Sequence, residues 1–255
     1  MASIKAVICA AGQGKRLFPL TKNTPKALLP IGEKTFLEYI LDTLSACGVE
    51  DVLIIVGYKA DDIKEKIGTH YGSCSIEYAR NDDFATTNNM YSLWSAKNYI
   101  SRGMIFLNAD TLFHSDILKK IIESPHKNGF AMSSPIRMLD DAMKVHVKEG
   151  RLVKIGKEIK EEPHGEAFGI YKISSETAKK YFEIAGALIK EGGLEEDGDR
   201  GDGGYKNASF VVPLQKMADE VPIMAISSEK YPWVEVDTPE DYDIAKKMVK
   251  QIMGE

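Results

Sequence analysis

Residues 4–10, Ile-Lys-Ala-Val-Ile-Cys-Ala, form a nearly unbroken apolar run rich in β-branched side chains, and the run ends at Ala-Gly-Gln-Gly-Lys-Arg. A strand with no polar face must be covered on both sides, as in a parallel sheet flanked by helices. Similar runs return at 52–56 (VLIIV) and 104–107 (MIFL), with a more mixed strand at 75–79. Between them, apolar residues recur at helical spacing over 36–46, 61–67, 89–99 and 115–122. Gly48 stands just past the first of these, as a helix C-terminal signal. Strand and helix alternating with short connections predict a parallel sheet with helices on both faces.

The pattern changes after residue 126. Strand-like segments at 130–133, 144–147, 152–155 and 167–173 follow one another with short gaps, which predicts an antiparallel extension. A helix is expected over 174–189 with Ser174 or Ser175 as N-cap, then strands at 221–226 and 233–236 and a helix over 239–252. The Gly- and Asp-rich stretch 192–204 reads as a mobile surface loop, or as a flap near an acceptor site. The expected fold is α/β: a Rossmann-like, doubly wound, mixed but mainly parallel sheet with an antiparallel extension, in a single domain over 1–255.

The 33 Lys and Arg against 38 Asp and Glu leave a net charge of -5, which argues against a nucleic-acid binder. Any phosphate must therefore be met by locally placed cations. Cys9, Cys47 and Cys74 are odd in number and widely spaced, favouring a reducing compartment over a disulfide framework. No apolar run approaches the length of a membrane span, so a cytoplasmic protein without membrane partners is expected.

Ala10, Ala11, Gly12, Gln13, Gly14, Lys15 and Arg16 directly follow the first strand. Ligands of open α/β sheets bind beyond the carboxyl ends of strands. Small residues let the backbone N–H groups approach phosphate oxygens, and Lys15 and Arg16 add charge. Pro25 fixes the backbone before Lys26 and so gives it a defined direction. The spacing is neither that of a Walker loop nor that of a dinucleotide fingerprint. A plain basic surface loop is the alternative. Asp110 closes the strand MIFLNAD and Asp237 follows WVEV; two remote carboxylates suit Mg²⁺, which takes one or two of them plus phosphates and waters. A solvated strand-end acid and a helix cap are the alternatives, with Thr238 and Pro239 favouring a helix start after Asp237. Glu235 could assist. Asn81 is a turn former or a reader of a base edge, and Asn88 an N-cap or a reader.

The run AVICAAGQGKRLFPLTKNTPKALLPIGEKTFLEYILDTL resembles the N-terminal signature of the nucleoside-diphosphate-sugar pyrophosphorylases and related nucleotidyltransferases. The likeness continues through GVEDVLIIVGY, Asp110 and EVDTPEDY, and NDDFATTNNMYSLW is similar to the phosphocholine and phosphonate cytidylyltransferases. The resemblance implies transfer of a nucleotidyl group from CTP to a small phosphorylated alcohol, amine or phosphonate, with Mg²⁺ as cofactor. It implies a nucleotide-binding half over about 1–125 and an acceptor-binding half over about 126–255. Catalytic roles are implied for Arg16, Lys26 and Lys157, and metal ligation for Asp110 and Asp237. The nucleotide is expected at residues 10–16, Lys26, Asn81, Asn88 and Asp110, and the acceptor at Asn89, Lys144 and Glu166. Lys144 could equally be an exposed strand lysine. For a choline-like cation the aromatic candidates are Tyr91, Trp94, Phe168, Tyr171, Tyr205 and Trp233. A sugar-1-phosphate uridylyl- or thymidylyltransferase and a non-catalytic regulatory relative are the competing readings, and a homo-oligomer is left open.

Overall fold

The most apolar segments of the chain become the centre of its sheet. In the computed structural model, which describes residues 4–134, 142–191, 208–228 and 230–254, the first half runs β1 (Lys5–Ala10), β2 (Pro30–Ile31), β3 (Lys34–Thr35), α1 (Phe36–Ala46), β4 (Asp51–Val56), α2 (Ala60–Ile67), β5 (His70–Tyr71), β6 (Cys74–Arg80), α3 (Asn89–Ser95), β7 (Met104–Asn108), β8 (Thr111–Phe113) and α4 (Ser115–Glu123). The second half runs β9 (Gly129–Ser133), β10 (Lys144–Lys148), β11 (Arg151–Gly156), β12 (Gly165–Ile173), α5 (Ser175–Lys190), α6 (Val211–Met217), β13 (Met224–Ser227), β14 (Trp233–Glu235) and α7 (Pro239–Met253). The loop expected at 192–204 lies outside the described residues, as does Tyr205.

Ten strands form one sheet in the order β10-β11-β13-β9-β12-β7-β1-β4-β6-β5. β7, β1, β4 and β6 are mutually parallel. β12 then runs antiparallel to β7, joining the two halves of the chain in one sheet. β10 pairs with both β11 and β12, so this end of the sheet closes on itself and leaves little free edge.

Alternation along β1 explains the double winding. Ala6 and Ile8 face a core built with α1, α2 and α4, where Leu37, Leu41, Ile63 and Ile117 are at most 1% exposed. Val7 faces the other core, built with α3, α5 and α6 through Leu93, Tyr181, Leu214 and Met217. Each such side chain stabilises the fold by about 1.5–3 kcal/mol relative to exposure. Thr35 and Glu38 form a capping box at the start of α1, and Gly48 follows its end at φ 70°.

Two expectations shift, and one helix is new. The helix at 89–99 ends at Ser95 and resumes as a 3-10 turn over Lys97–Tyr99. The late strand at 233–236 is not in the main sheet; β14 pairs antiparallel with β8 in a two-stranded ribbon. Helix α6, over VVPLQKM, falls in a stretch for which no element was expected; Pro213 sits in the first turn, where no N–H is needed.

Candidate active site

The loop after β1 is shaped by two glycines. A Cβ on Gly12 would meet nothing within 4 Å, so the backbone there lies open to a ligand. Gly14 adopts φ 65°, its carbonyl accepts from Thr21 Oγ1 at 2.7 Å, and a Cβ there would stand 3.1 Å from Lys26 Cβ. The turn at Gly14 therefore packs against the stem of Lys26. On the outer side, Tyr58 N–H donates to the Ala11 carbonyl at 2.9 Å. A Cβ on the preceding Gly57 would be 2.7 Å from the Ala11 oxygen and 2.7 Å from Phe84 Cβ. Gly57 thus lets the cradle and the loop after β6 press together. Gly57→Ala is expected to cost about 1–3 kcal/mol, as overpacking does; an unchanged midpoint in urea unfolding would show that the two segments have slack.

Asp110 follows β7, as expected. Asp237 reaches it from outside the main sheet, carried by the β8–β14 ribbon. Val236 N–H donates to the Asp110 carbonyl at 3.0 Å, and a capping box of Thr238 and Asp241 fixes the start of α7. Between the two acids stands Lys26, on a 3-10 turn after Pro25. Its Nζ lies 2.8 Å from Asp110 Oδ2 and 2.8 Å from Asp237 Oδ1, and Arg16 reaches the same Asp237 oxygen at 2.9 Å. Burial pulls the Lys26 ammonium down, but Asp110 and Asp237 outweigh it and hold its pKa above the ordinary lysine value. Burial raises Asp237, yet Lys26, then Arg16 and Lys157, hold it below the usual carboxylate range. Glu235, two residues before, is pushed well above that range by burial, then by Asp110 and Asp237.

These groups border a cavity of about 480 Å³. The structure brings Ala10, Ala11, Gly12, Gln13, Gly14, Lys15, Arg16, Lys26, Asn88, Asn89, Asp110, Lys157 and Asp237 to its walls. It does not bring Asn81, Lys144 or Glu166 there. Asn81 is 1% exposed, and its carboxamide is spent on Thr87, Ser92 and Asp83. Lys144 and Glu166 are cross-strand neighbours on β10 and β12, while the adjoining Met143 and Ala167 line the cavity. Alternation along a strand sends neighbouring side chains to opposite faces. Asn88 caps α3 by accepting from Asn89 N–H.

Sequence reasoning missed Phe106, Phe210 and Gly169. Phe210 stacks on Phe106 with ring centroids 4.0 Å apart and lies 4.8 Å from Tyr171, and all three line the cavity. Gly169 interrupts β12 at φ 47°, where a Cβ would be 2.7 Å from Thr111 Oγ1; an isolated glycine within a strand was the available signal. Of the aromatic candidates among the described residues, only Tyr171 lines the cavity. Phe168 and Trp233 stack on each other, and Trp94 lies under the Lys97 ammonium.

The two aspartate oxygens are no more than twice 2.8 Å apart, since both contact one nitrogen. Such an all-oxygen, anionic pair suits a hard divalent cation that takes its remaining ligands from phosphate and water. Among the described residues no cluster of three or more His, Cys, Asp or Glu forms a fuller metal site. Among the same residues no helix is long and apolar enough to cross a membrane.

The family model described as "Nucleotidyl transferase" matches residues 5–136. The chain is 36% identical over 132 residues to the choline-phosphate cytidylyltransferase of Streptococcus pneumoniae, covering 49% of this chain and 54% of that protein. It is 32% identical over 136 residues to the CMP-5'-(3-aminopropyl)phosphonate synthase of Streptomyces rubellomurinus, covering 53% of this chain and 22% of that protein. The chain thus spans about half or less of the length of these relatives. Its fold is similar to that of the inositol-1-phosphate CTP transferase from T. maritima, with a TM-score of 0.78 over 99% of this chain and 98% of that one, at 22% identity.

Proposed function

The chain belongs to the nucleotidyl transferase family, and from that premise we propose that it transfers a cytidylyl group from CTP to a small phosphorylated alcohol or amine, or to a phosphonate, releasing pyrophosphate. The observation that carries this reading is the meeting of Arg16, Lys26, Asp110 and Asp237 in one ion cluster beside the open backbone of Gly12. The preference for CTP and for this acceptor class is drawn from the relatives that share the N-terminal half.

An anionic oxygen of the acceptor attacks the α-phosphorus. The bond from that phosphorus to the bridging oxygen breaks, and pyrophosphate leaves with the electron pair. The attacking oxygen is already deprotonated near neutral pH, so the protein's task is positioning and charge neutralisation. The backbone of residues 10–16 holds the triphosphate. Arg16 and Lys26 offset its charge, and so does Lys157, which lines the same cavity. Asp110 and Asp237 would hold Mg²⁺, which when bound neutralises charge on the α-phosphate and the incoming oxygen. Phe106, Tyr171 and Phe210 pack on one another, at most 4% exposed, and form a rigid aromatic backing to the cavity wall near Glu235.

The test is pyrophosphate release with CTP, UTP, ATP, GTP and dTTP against phosphocholine, aminoalkylphosphonates, polyol phosphates and glucose 1-phosphate. Release is expected with CTP and one of the first three acceptor types. Release with UTP and glucose 1-phosphate but not with CTP would replace this reading by a sugar nucleotidyltransferase. No release from any pair would favour a regulatory member of the fold.

A further inference from the structure

Thr87, Asn88, Asn89 and Ser92 line one wall of the cavity, and the geometry points to a single buried side chain as what holds this wall in place. We propose that Asn81 is a positioning residue for the nucleotide: it touches no substrate and acts through Thr87 and Ser92. This rests on the reading above only in naming the ligand.

Asn81 lies just past β6, where its N–H donates to the Val56 carbonyl at 2.8 Å and so anchors it to the sheet. From that fixed point its Nδ2 donates to Thr87 Oγ1 at 3.0 Å and to Ser92 Oγ at 2.9 Å, while its Oδ1 accepts from Asp83 N–H at 3.0 Å. Thr87 Oγ1 in turn donates to the Asp83 carbonyl at 2.8 Å, and Ser92 Oγ to the Asn88 carbonyl at 3.2 Å. One carboxamide therefore ties the start of the loop, its end and the first turn of α3. A buried network of this kind holds its members in one arrangement only while every group is satisfied. Phe84, in the same loop, packs on Gly57 opposite Ala11, so the network also sets how closely the wall approaches the phosphate cradle. Asn89 extends the wall by accepting from Phe210 N–H at 2.6 Å.

The experiment compares Asn81→Ala, Thr87→Val and the double variant with the parent protein by two readouts. Hydrogen exchange, which needs no substrate, should show faster deuterium uptake in residues 82–92 of Asn81→Ala and unchanged uptake in the core strands β1 and β4. In steady-state kinetics the KM for CTP should rise about tenfold with kcat within about threefold and the acceptor KM unchanged, and the double variant should be no worse than the worse single, as for residues acting as one unit. Should Asn81→Ala not fold, Asn81→Asp keeps the size and the Asp83 contact, removes both donors, and carries the same expectation. Unchanged exchange in 82–92, or additive effects of the two substitutions, would overturn the proposal. An inactive parent protein whose exchange nevertheless responds would overturn only the assignment of CTP.

Discussion

Asp110→Asn and Asp237→Asn variants are expected to turn over roughly 10³-fold or more slowly than the parent protein, the scale on which removing one preorganised electrostatic group from a reacting centre is felt. The substitution changes charge and almost nothing else. An asparagine keeps an oxygen where Lys26 Nζ now finds one at 2.8 Å, so the ammonium is left with one full partner and one weaker one. The acids are 24% and 20% exposed, so each loss costs only about 1–2 kcal/mol in folding, near that of a hydrogen bond to a charged group. Turnover and stability should therefore separate: a near-normal thermal midpoint with almost no pyrophosphate release. Mn²⁺ binding in the presence of CTP, followed by electron paramagnetic resonance, should weaken in both variants. Near-parental turnover in either would contradict the metal assignment. Asp237→Asn should be somewhat the less stable of the two, because Arg16 also pairs with that oxygen.

What the sequence could disclose here follows from the range of each signal. The unbroken apolar runs and the helical patterns are local, so β1, α1 and β4 lie where their residues predict, and the α1 boundaries agree at both ends. The strand-to-loop transition at Ala10 is equally local, and it leads directly to the cradle. Partner choice is not local. Nothing in WVEV shows that β14 pairs with β8 instead of joining the main sheet, yet that ribbon is what carries Asp237 to Asp110. Asn81 illustrates the opposite limit. Its residue type is as apt for reading a base as for tying a loop, and only its burial and its three hydrogen bonds favour the second. Phe210 carries no local signal at all: it reaches the cavity because α6 follows it and Asn89 holds its N–H, both tertiary facts.

Lys26→Met should be the other large effect, and its dependence on pH is its signature. The methionine keeps much of the stem that packs on Gly14 but removes the ammonium shared by Asp110 and Asp237, with Glu235 close by. Turnover should fall by roughly 10²–10³-fold, since the charge offered to the triphosphate and the order of the two acids go together. In folding, the variant should lose about 3 kcal/mol at neutral pH, the low end for removing one partner of a buried ion pair, because the aspartates keep some contact with water. In the parent protein Lys26 is the chief influence holding the Asp237 pKa below its ordinary value. That stabilisation is fully present above the unfolded aspartate value and is lost as the pH falls through the lower, folded one. Without Lys26, burial is opposed at Asp237 only by Arg16 and Lys157, and Glu235 loses the cation that lowers its pKa, so both folded values move up. Asp237 and Glu235 then weigh more heavily against the fold at neutral pH, and protonation relieves them as the pH falls. The gap in melting temperature between variant and parent should therefore be widest near pH 7 and close towards pH 4. Lys26→Arg, which restores the charge on a differently shaped head, should recover most of the stability and less of the turnover. A gap that stayed constant from pH 7 to pH 4 would mean that Lys26 stabilises the fold through its packing and not through the two carboxylates it bridges.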